Sequence, residues 1–329
     1  MRRLLFLSGL LFLCFFQGLR AQDIQFIPDT VLINGDTLLM LGDSVLIEEP
    51  KKEIFWKTGG NYNMNIQQVT LSNWAAGGSS SFALNTGVSV FANYKKDNKV
   101  WDTQLNVNLG FSRQSDRQYQ TRKTNDNFTF VSNYGRELSK MLYLSTQLDA
   151  RTQLLEGFKY SAGSDGEVLR TKISDLLSPG YVQSSTGLNY RKTYERKGKL
   201  SMIISPFTGR FTIVMNDSLS NAGAFGVTPG ENVRAEAGMS LATSITDFVL
   251  MENITWKADL NLFSNYESFG NMVVNFSSKI QMKVNKYIST RIETALIYDE
   301  NVLIKQDDGS SKQAIQLQNL INFGVSLDF

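Results

Sequence analysis

The sequence predicts an all-β fold: a transmembrane antiparallel β-barrel of about 12 strands, with short periplasmic turns and long extracellular loops. Three observations carry this. Apolar and polar residues alternate with a period of two along almost the whole chain from residue 54 onward. The alternating segments number twelve, an even count, and most lie near the roughly 9 to 11 residues that a tilted membrane strand needs. Short and long connections alternate between them, as in outer-membrane barrels, where turns face the periplasm and loops face outward.

In order along the chain, residues 1–21 read as a secretory signal peptide. Arg2 and Arg3 precede an apolar run from Leu4 to Phe16, and Leu19-Arg20-Ala21 ends on a small residue. The run is short of the roughly 20 residues that a membrane helix requires. Its Cys14 follows Phe12 and Leu13, where a lipoprotein box would have a small residue beside the cysteine, so lipidation is not expected. Cleavage before Gln22 removes three arginines and the single cysteine, leaving 30 basic and 31 acidic residues and no thiol for a disulfide.

Residues 22–53 form a separate segment with a seven-residue repeat. Asp29-Thr30-Val31-Leu32-Ile33-Asn34-Gly35 is followed by Asp36-Thr37-Leu38-Leu39-Met40-Leu41-Gly42 and Asp43-Ser44-Val45-Leu46-Ile47. Brief strands joined by turns are expected, in too few residues for an independent core. The segment reads either as a linker or as a periplasmic strand that pairs with a partner or the barrel mouth.

The barrel occupies residues 54–329. Its clearest strand starts at Trp101, where Trp101, Thr103, Leu105, Val107, Leu109 and Phe111 alternate with Asp102, Gln104, Asn106, Asn108, Gly110 and Ser112. Comparable strands are expected over residues 82–94, 127–134, 142–154, 182–190, 233–243, 254–266, 272–284, 288–298 and 315–329. Weaker ones are expected over 61–67 and 200–204. The last strand reverses one step, with Asn319 on its apolar face and Leu320 on its polar one. It ends on Phe329, an aromatic carboxyl terminus of the kind that barrel-insertion machinery reads. The alternative, a soluble sandwich or lipocalin-like barrel, fits poorly with strand length, aromatic residues near strand ends, and polar faces rich in Asn, Gln and Ser. Tyr94, Trp101, Tyr134, Tyr190 and Phe329 are expected in one aromatic girdle, and Phe111, Tyr266 and Tyr298 in the other.

Charge and composition narrow the chemistry. With 33 basic and 31 acidic residues there is no basic field for nucleic acid, and no histidine exists to serve as general base or metal ligand. An enzyme, a cofactor and a metal are therefore not expected. The strand phase turns Asp102, Asp149, Arg151, Arg191, Arg234, Glu236, Lys257, Asp259, Lys279, Lys283, Arg291 and Glu293 inward. These charges read as an anion-favouring channel lining or as ion pairs packing a narrow lumen, with Asp149–Arg151 and Arg291–Glu293 placed to pair on one face. Twelve strands leave little room, which favours the packed lumen. In the loop over residues 156–180, Leu169, Ile173, Leu176 and Leu177 fall at helical spacing before Ser178-Pro179-Gly180, so a short amphipathic helix is expected there, obstructing the lumen.

Five local strings, Asn73-Trp74-Ala75-Ala76-Gly77-Gly78, Leu177-Ser178-Pro179-Gly180, Ser205-Pro206, Gly223-Ala224-Phe225-Gly226-Val227 and Tyr298-Asp299, resemble the domain of unknown function 3078 family of Bacteroidota. The likeness covers about residues 54–329. It implies an outer-membrane barrel of a Gram-negative envelope with no settled activity, and it supplies no catalytic residue. Trp74 reads as a loop anchor wedged in the barrel mouth. The function these features point to is a non-enzymatic narrow channel or uptake barrel for small or apolar solutes. The alternative is a structural or partner-binding subunit of envelope machinery. Outer-membrane lipid, barrel-insertion machinery and a periplasmic or envelope protein are the partners each reading implies.

Overall fold

The computed structural model describes residues 39–41, 44–46, 55–71, 79–115, 117–163, 167–194, 198–285, 287–305 and 310–328. The chain divides into two compact units, Met1–Glu53 and Ile54–Phe329. In the first, β1 (Leu39–Leu41) pairs antiparallel with β2 (Ser44–Leu46) inside the repeat. The signal-like residues, the loop anchor Trp74 and the terminal Phe329 lie outside the described residues.

In the second unit, the alternating segments form β3 (Trp56–Val69), β4 (Ser81–Lys96), β5 (Lys99–Gln114), β6 (Thr121–Ser139) and β7 (Leu142–Thr152). After a loop containing β8 (Gly157–Ala162) and β9 (Val168–Ser174) come β10 (Gly180–Tyr194), β11 (Gly198–Ile213), β12 (Val233–Met251), β13 (Ile254–Asn265), β14 (Met272–Lys283) and β15 (Ile288–Asp299). A short hairpin of β16 (Ile304–Lys305) and β17 (Ser311–Lys312) precedes β18 (Gln316–Asp328). Twelve of these strands close a barrel in the order β10-β11-β12-β13-β14-β15-β18-β3-β4-β5-β6-β7, antiparallel throughout. At one end the strands join through residues 97–98, 140–141, 195–197, 252–253 and 284–287, and at the other through longer segments such as 153–179, 214–232 and 300–315.

The polarity of the barrel is inside-out. Asn189 and Ser145 are almost fully buried, and Asn63, Asn133 and Gln147 nearly so, while Leu144, Leu188, Ile204, Ile321 and Phe323 stand exposed. A soluble barrel has the opposite arrangement, so the outer face is built for lipid and the closed sheet leaves few backbone groups unpaired in it. At the turn end Trp56 packs on Tyr94 at 5.1 Å and on Trp101 at 5.8 Å, and the Trp101 indole donates to Ser132 Oγ at 2.8 Å. Tyr94, Trp101 and the exposed Tyr134, joined by Trp56, make part of the expected girdle, whose Phe329 lies outside the described residues. Detergent-purified protein is accordingly expected to give a β-rich circular dichroism spectrum; a soluble monomer recovered without detergent would contradict the lipid-facing surface. Because the barrel closes between Trp56 and Asp328, removing residues 22–50 should leave that spectrum and the unfolding midpoint unchanged.

Two expectations are corrected. The helix expected around Leu169–Leu177 is instead β9, paired with β8 from Ala162↔Val168 to Gly157↔Ser174. Val168, Thr171 and Ile173 are β-branched and suit a strand, and Leu169 and Ile173 share its exposed face at period two. The weak strand expected over 200–204 also runs much further, from Gly198 to Ile213. Pro206 and Phe207 are absorbed by a bulge between Ser205 and Thr208, the place where a strand tolerates proline.

Candidate functional site

The inward side chains form three layers down the lumen. At the loop end the carboxylates of Glu236 and Asp299 face the guanidinium of Arg210. Arg210 Nη2 donates to Asp299 Oδ2 at 2.7 Å and Nη1 to Glu236 Oε2 at 3.4 Å, all three side chains being 3–4% exposed. Arg234 Nη2 adds contacts of 3.2 Å to Glu236 and 3.9 Å to Asp299. With both carboxylates taken, Arg151 turns to neutral partners. Its Nη1 donates to Asn275 Oδ1 at 2.7 Å, and its guanidinium lies over the Tyr181 ring at 5.2 Å. Arg151 is on β7 and Asn275 on β14, five strands apart round the barrel, so this bond runs through the lumen rather than along its wall.

In the middle layer Lys257 Nζ donates to Gln104 Oε1 at 2.9 Å. Lys257 is on β13 and Gln104 on β5, diametrically opposite in a ring of twelve. Lys257 also stands 3.7 Å from Asp259, which accepts from Ser244 Oγ at 2.6 Å. Asp149 accepts from Gln147 Nε2 at 2.8 Å. Towards the turn end Arg191 donates to Asp102 at 2.6 Å and to Asn133 Oδ1 at 2.5 Å, and Lys279 reaches Glu293 at 3.8 Å. Arg291, 3% exposed, makes no side-chain hydrogen bond or ion pair among the described residues, and its Nε is buried without a partner.

The structure thus brings together Arg234 with Glu236, Lys257 with Asp259 and Arg191 with Asp102, while neither Asp149–Arg151 nor Arg291–Glu293 forms an ion pair within 4 Å among the described residues. Residues two apart on a strand share a face, but side chains as long as Arg and Lys reach across a narrow barrel as readily as along it. Arg210, Asp299, Tyr181 and Asn275 belong to the site and were not singled out by sequence. Arg210 was hidden because the strand expected from sequence ends at residue 204.

Loops close over this stack. Arg234 Nη1 donates to the Gly226 carbonyl at 2.9 Å, pinning the 214–232 loop to the loop-end cluster. Gly226 has φ +76°, and a Cβ there would meet Arg234 Nη1 and, at 2.7 Å, the Asn301 carbonyl, so glycine is required twice over. Within that loop the helix α1 (Asp217–Asn221) is capped by Asn216, and Val214, Leu219 and Val227 make a small core with Phe225. The 153–179 loop joins it: Asn216 donates from N to Ser178 Oγ at 2.8 Å and from Nδ2 to Asp175 Oδ2 at 3.0 Å. Lys172 binds Asp175 at 3.0 Å and Glu156 at 2.5 Å. The Lys172 hydrogen bond holds the Asp175 carboxyl below the usual carboxylate range. A lowered carboxyl contributes its anchoring above its ordinary range and loses it as pH falls through the lowered value. Protease cleavage of the β8–β9 hairpin is therefore expected to quicken only in acid below the ordinary carboxylate range; a rise already near neutral pH would contradict this.

Strands β3 to β8 carry a sequence signature of their own. Residues 66–158 match the family model described as "Protein of unknown function (DUF3078)". The family match includes the Asn73–Gly78 string, and the other four strings lie beyond it. No curated protein matches the sequence. Solved structures with similar folds include the NanC porin, at 10% identity and TM-score 0.36, covering 80% of this chain and 98% of that one. An outer membrane channel from Pseudomonas putida F1 matches at 9% and 0.37, covering 85% and 99%. The translocator domain of the autotransporter NalP from Neisseria meningitidis matches at 9% and 0.34, covering 85% and 89%. At these TM-scores nothing about activity passes from those proteins to this chain.

Proposed function

We propose that the protein is a non-enzymatic outer-membrane barrel that takes up small or apolar solutes through a lumen obstructed at rest, with its turns in the periplasm and its loops outside. The observation that carries this reading is the Lys257–Gln104 bond, which joins diametrically opposite strands and so crosses the lumen. The charges support a packed interior more than an ion-conducting one, because most are spent on partners within the barrel. The barrel's outer belt, apolar over Leu144, Leu148, Leu188 and Ile204, supports residence in lipid.

The test is solute entry. Cells producing the protein should take up a small apolar fluorophore such as N-phenyl-1-naphthylamine faster than cells lacking it, with no gain for a charged dye of similar size. Equal rates for the apolar probe would remove the uptake reading and leave the structural-subunit reading in its place.

A further inference from the structure

The barrel is zipped unevenly where its first and last strands meet. β18 pairs with β15 along Gln316–Val325, but it pairs with β3 only through four residue pairs, from Val325↔Met64 to Asp328↔Asn61. Above them, among the described residues, β18 from Gln316 to Gly324 and β3 from Asn65 to Val69 have a sheet partner on their far sides alone. An unpaired edge in lipid costs free energy at each backbone group, so this seam is the weakest part of the wall.

The polarity of the wall also changes locally there. By strand phase Leu320, Ala295, Ile297 and Val69 share the inward face, and Ile297 and Val69 are 38% and 39% exposed. On the outer face Asn319 accepts from Thr294 Oγ1 at 2.9 Å, although its outward neighbours Leu317, Ile321 and Phe323 are apolar. The single reversed step in the alternation of the last strand therefore falls at the open seam. Leu320, Ala295, Ile297 and Val69 thus make an apolar strip beside the seam, bordered by Gln316, Gln318 and Glu293 on the same inward face.

Down the same face of β15, about 20 Å from Ile297 at the rise of a strand, lies the guanidinium of Arg291, whose Nε is buried without a hydrogen-bond partner. Glu293, two residues on, makes no ion pair with it within 4 Å among the described residues and stands 3.8 Å from Lys279. Asn65 supplies a second free donor. Its amide lies against Gly324, which pairs with Ser289 two residues from Arg291, and its Nδ2 is buried without a partner. A lone guanidinium in a confined lumen calls for an anion, and a carboxylate takes two of its N–H groups at once.

The geometry points to a binding site for a single-chain amphiphile with a carboxylate head: Arg291 and Asn65 hold the head, and the chain runs along Ala295, Ile297 and Leu320 to the open β3–β18 seam, through which it exchanges with the membrane. This rests on the uptake reading and names its substrate class and route.

The experiment uses full-length protein in proteoliposomes and palmitic acid carrying a diazirine and an alkyne, with adducts located by mass spectrometry. Adducts are expected at Leu320, Ile297 and Val69, with a several-fold loss in Arg291→Gln and partial recovery in Arg291→Lys. Adducts confined to outward residues such as Ile321 and Phe323, and indifferent to Arg291→Gln, would overturn the site. A Gln68→Cys/Ile321→Cys variant in a Cys14→Ser background tests the route, its reduced form serving as folding control. Joining the two thiols with a bifunctional reagent should abolish labelling inside the lumen and spare it outside; unchanged inner labelling would overturn the portal. Lumen labelling without faster solute uptake would retire the uptake reading while leaving the site, so the two failures are distinct.

Discussion

Arg210→Met is expected to lower the stability of the barrel by about 3 kcal/mol, the largest loss for a single substitution of a lumen side chain. Removing the guanidinium strands Asp299 above all, which Arg210 holds at 2.7 Å and Arg234 reaches only at 3.9 Å, while Glu236 keeps Arg234 at 3.2 Å. The cost is mainly that of stranded carboxylates and not of a lost attraction, as an ion pair taken out of water gains little net energy while a broken one loses heavily. Two lesser contacts go with it, the guanidinium over Tyr181 at 5.5 Å and over Phe263 at 5.6 Å. Urea titration of the protein folded into detergent measures the shift. A triple replacement, Arg210→Met with Glu236→Gln and Asp299→Asn, should recover much of the loss. An unchanged midpoint for Arg210→Met alone would show that water reaches this cluster freely and that the loop-end layer is not dry.

Replacing Arg151 and Lys257 together by Ala is expected to raise ion conductance several-fold with the fold intact. Among the described residues these two side chains make the widest crossings of the lumen, to Asn275 five strands away and Gln104 six strands away, and both of these partners are neutral amides. Their removal strands no opposite charge in a pair as tight as Arg210–Asp299, so stability should fall less than for Arg210→Met. It also takes two cations from the lumen, so current through the double variant should shift towards cation selectivity, measured as the reversal potential in a salt gradient. Deleting the β8–β9 hairpin alone should do little by comparison, since it is a hairpin in the loop region and the transverse bonds lie below it.

The barrel itself was legible in the sequence because each of its strands obeys one rule, a period of two with lipid on one side. Trp101 to Ser112 states that rule without exception, and the strand it forms is one of the longest. Arg210 escaped because the strand expected from sequence ends at residue 204, whereas a bulge lets the sheet continue past Ser205-Pro206. The partners of Arg151 and Lys257 escaped for another reason. Pairing along a strand follows from spacing, but pairing across a lumen depends on which strands end up opposite one another, and that is fixed only by closure of all twelve. The loop at 156–180 was misread because four leucine and isoleucine residues happen to satisfy a helical spacing while Val168, Thr171 and Ile173 favour a strand. Asn319 and Leu320, by contrast, stood out as an anomaly in sequence, and the seam beside them supplies its setting.

Single-channel recording in a planar bilayer tests the obstructed lumen most directly. With the Arg151–Asn275 and Lys257–Gln104 bonds in place, the unmodified protein should give little or no steady current at moderate salt, with brief openings at most. Large, stable currents that grow in proportion to salt concentration would contradict the packed lumen and make the protein an open diffusion channel.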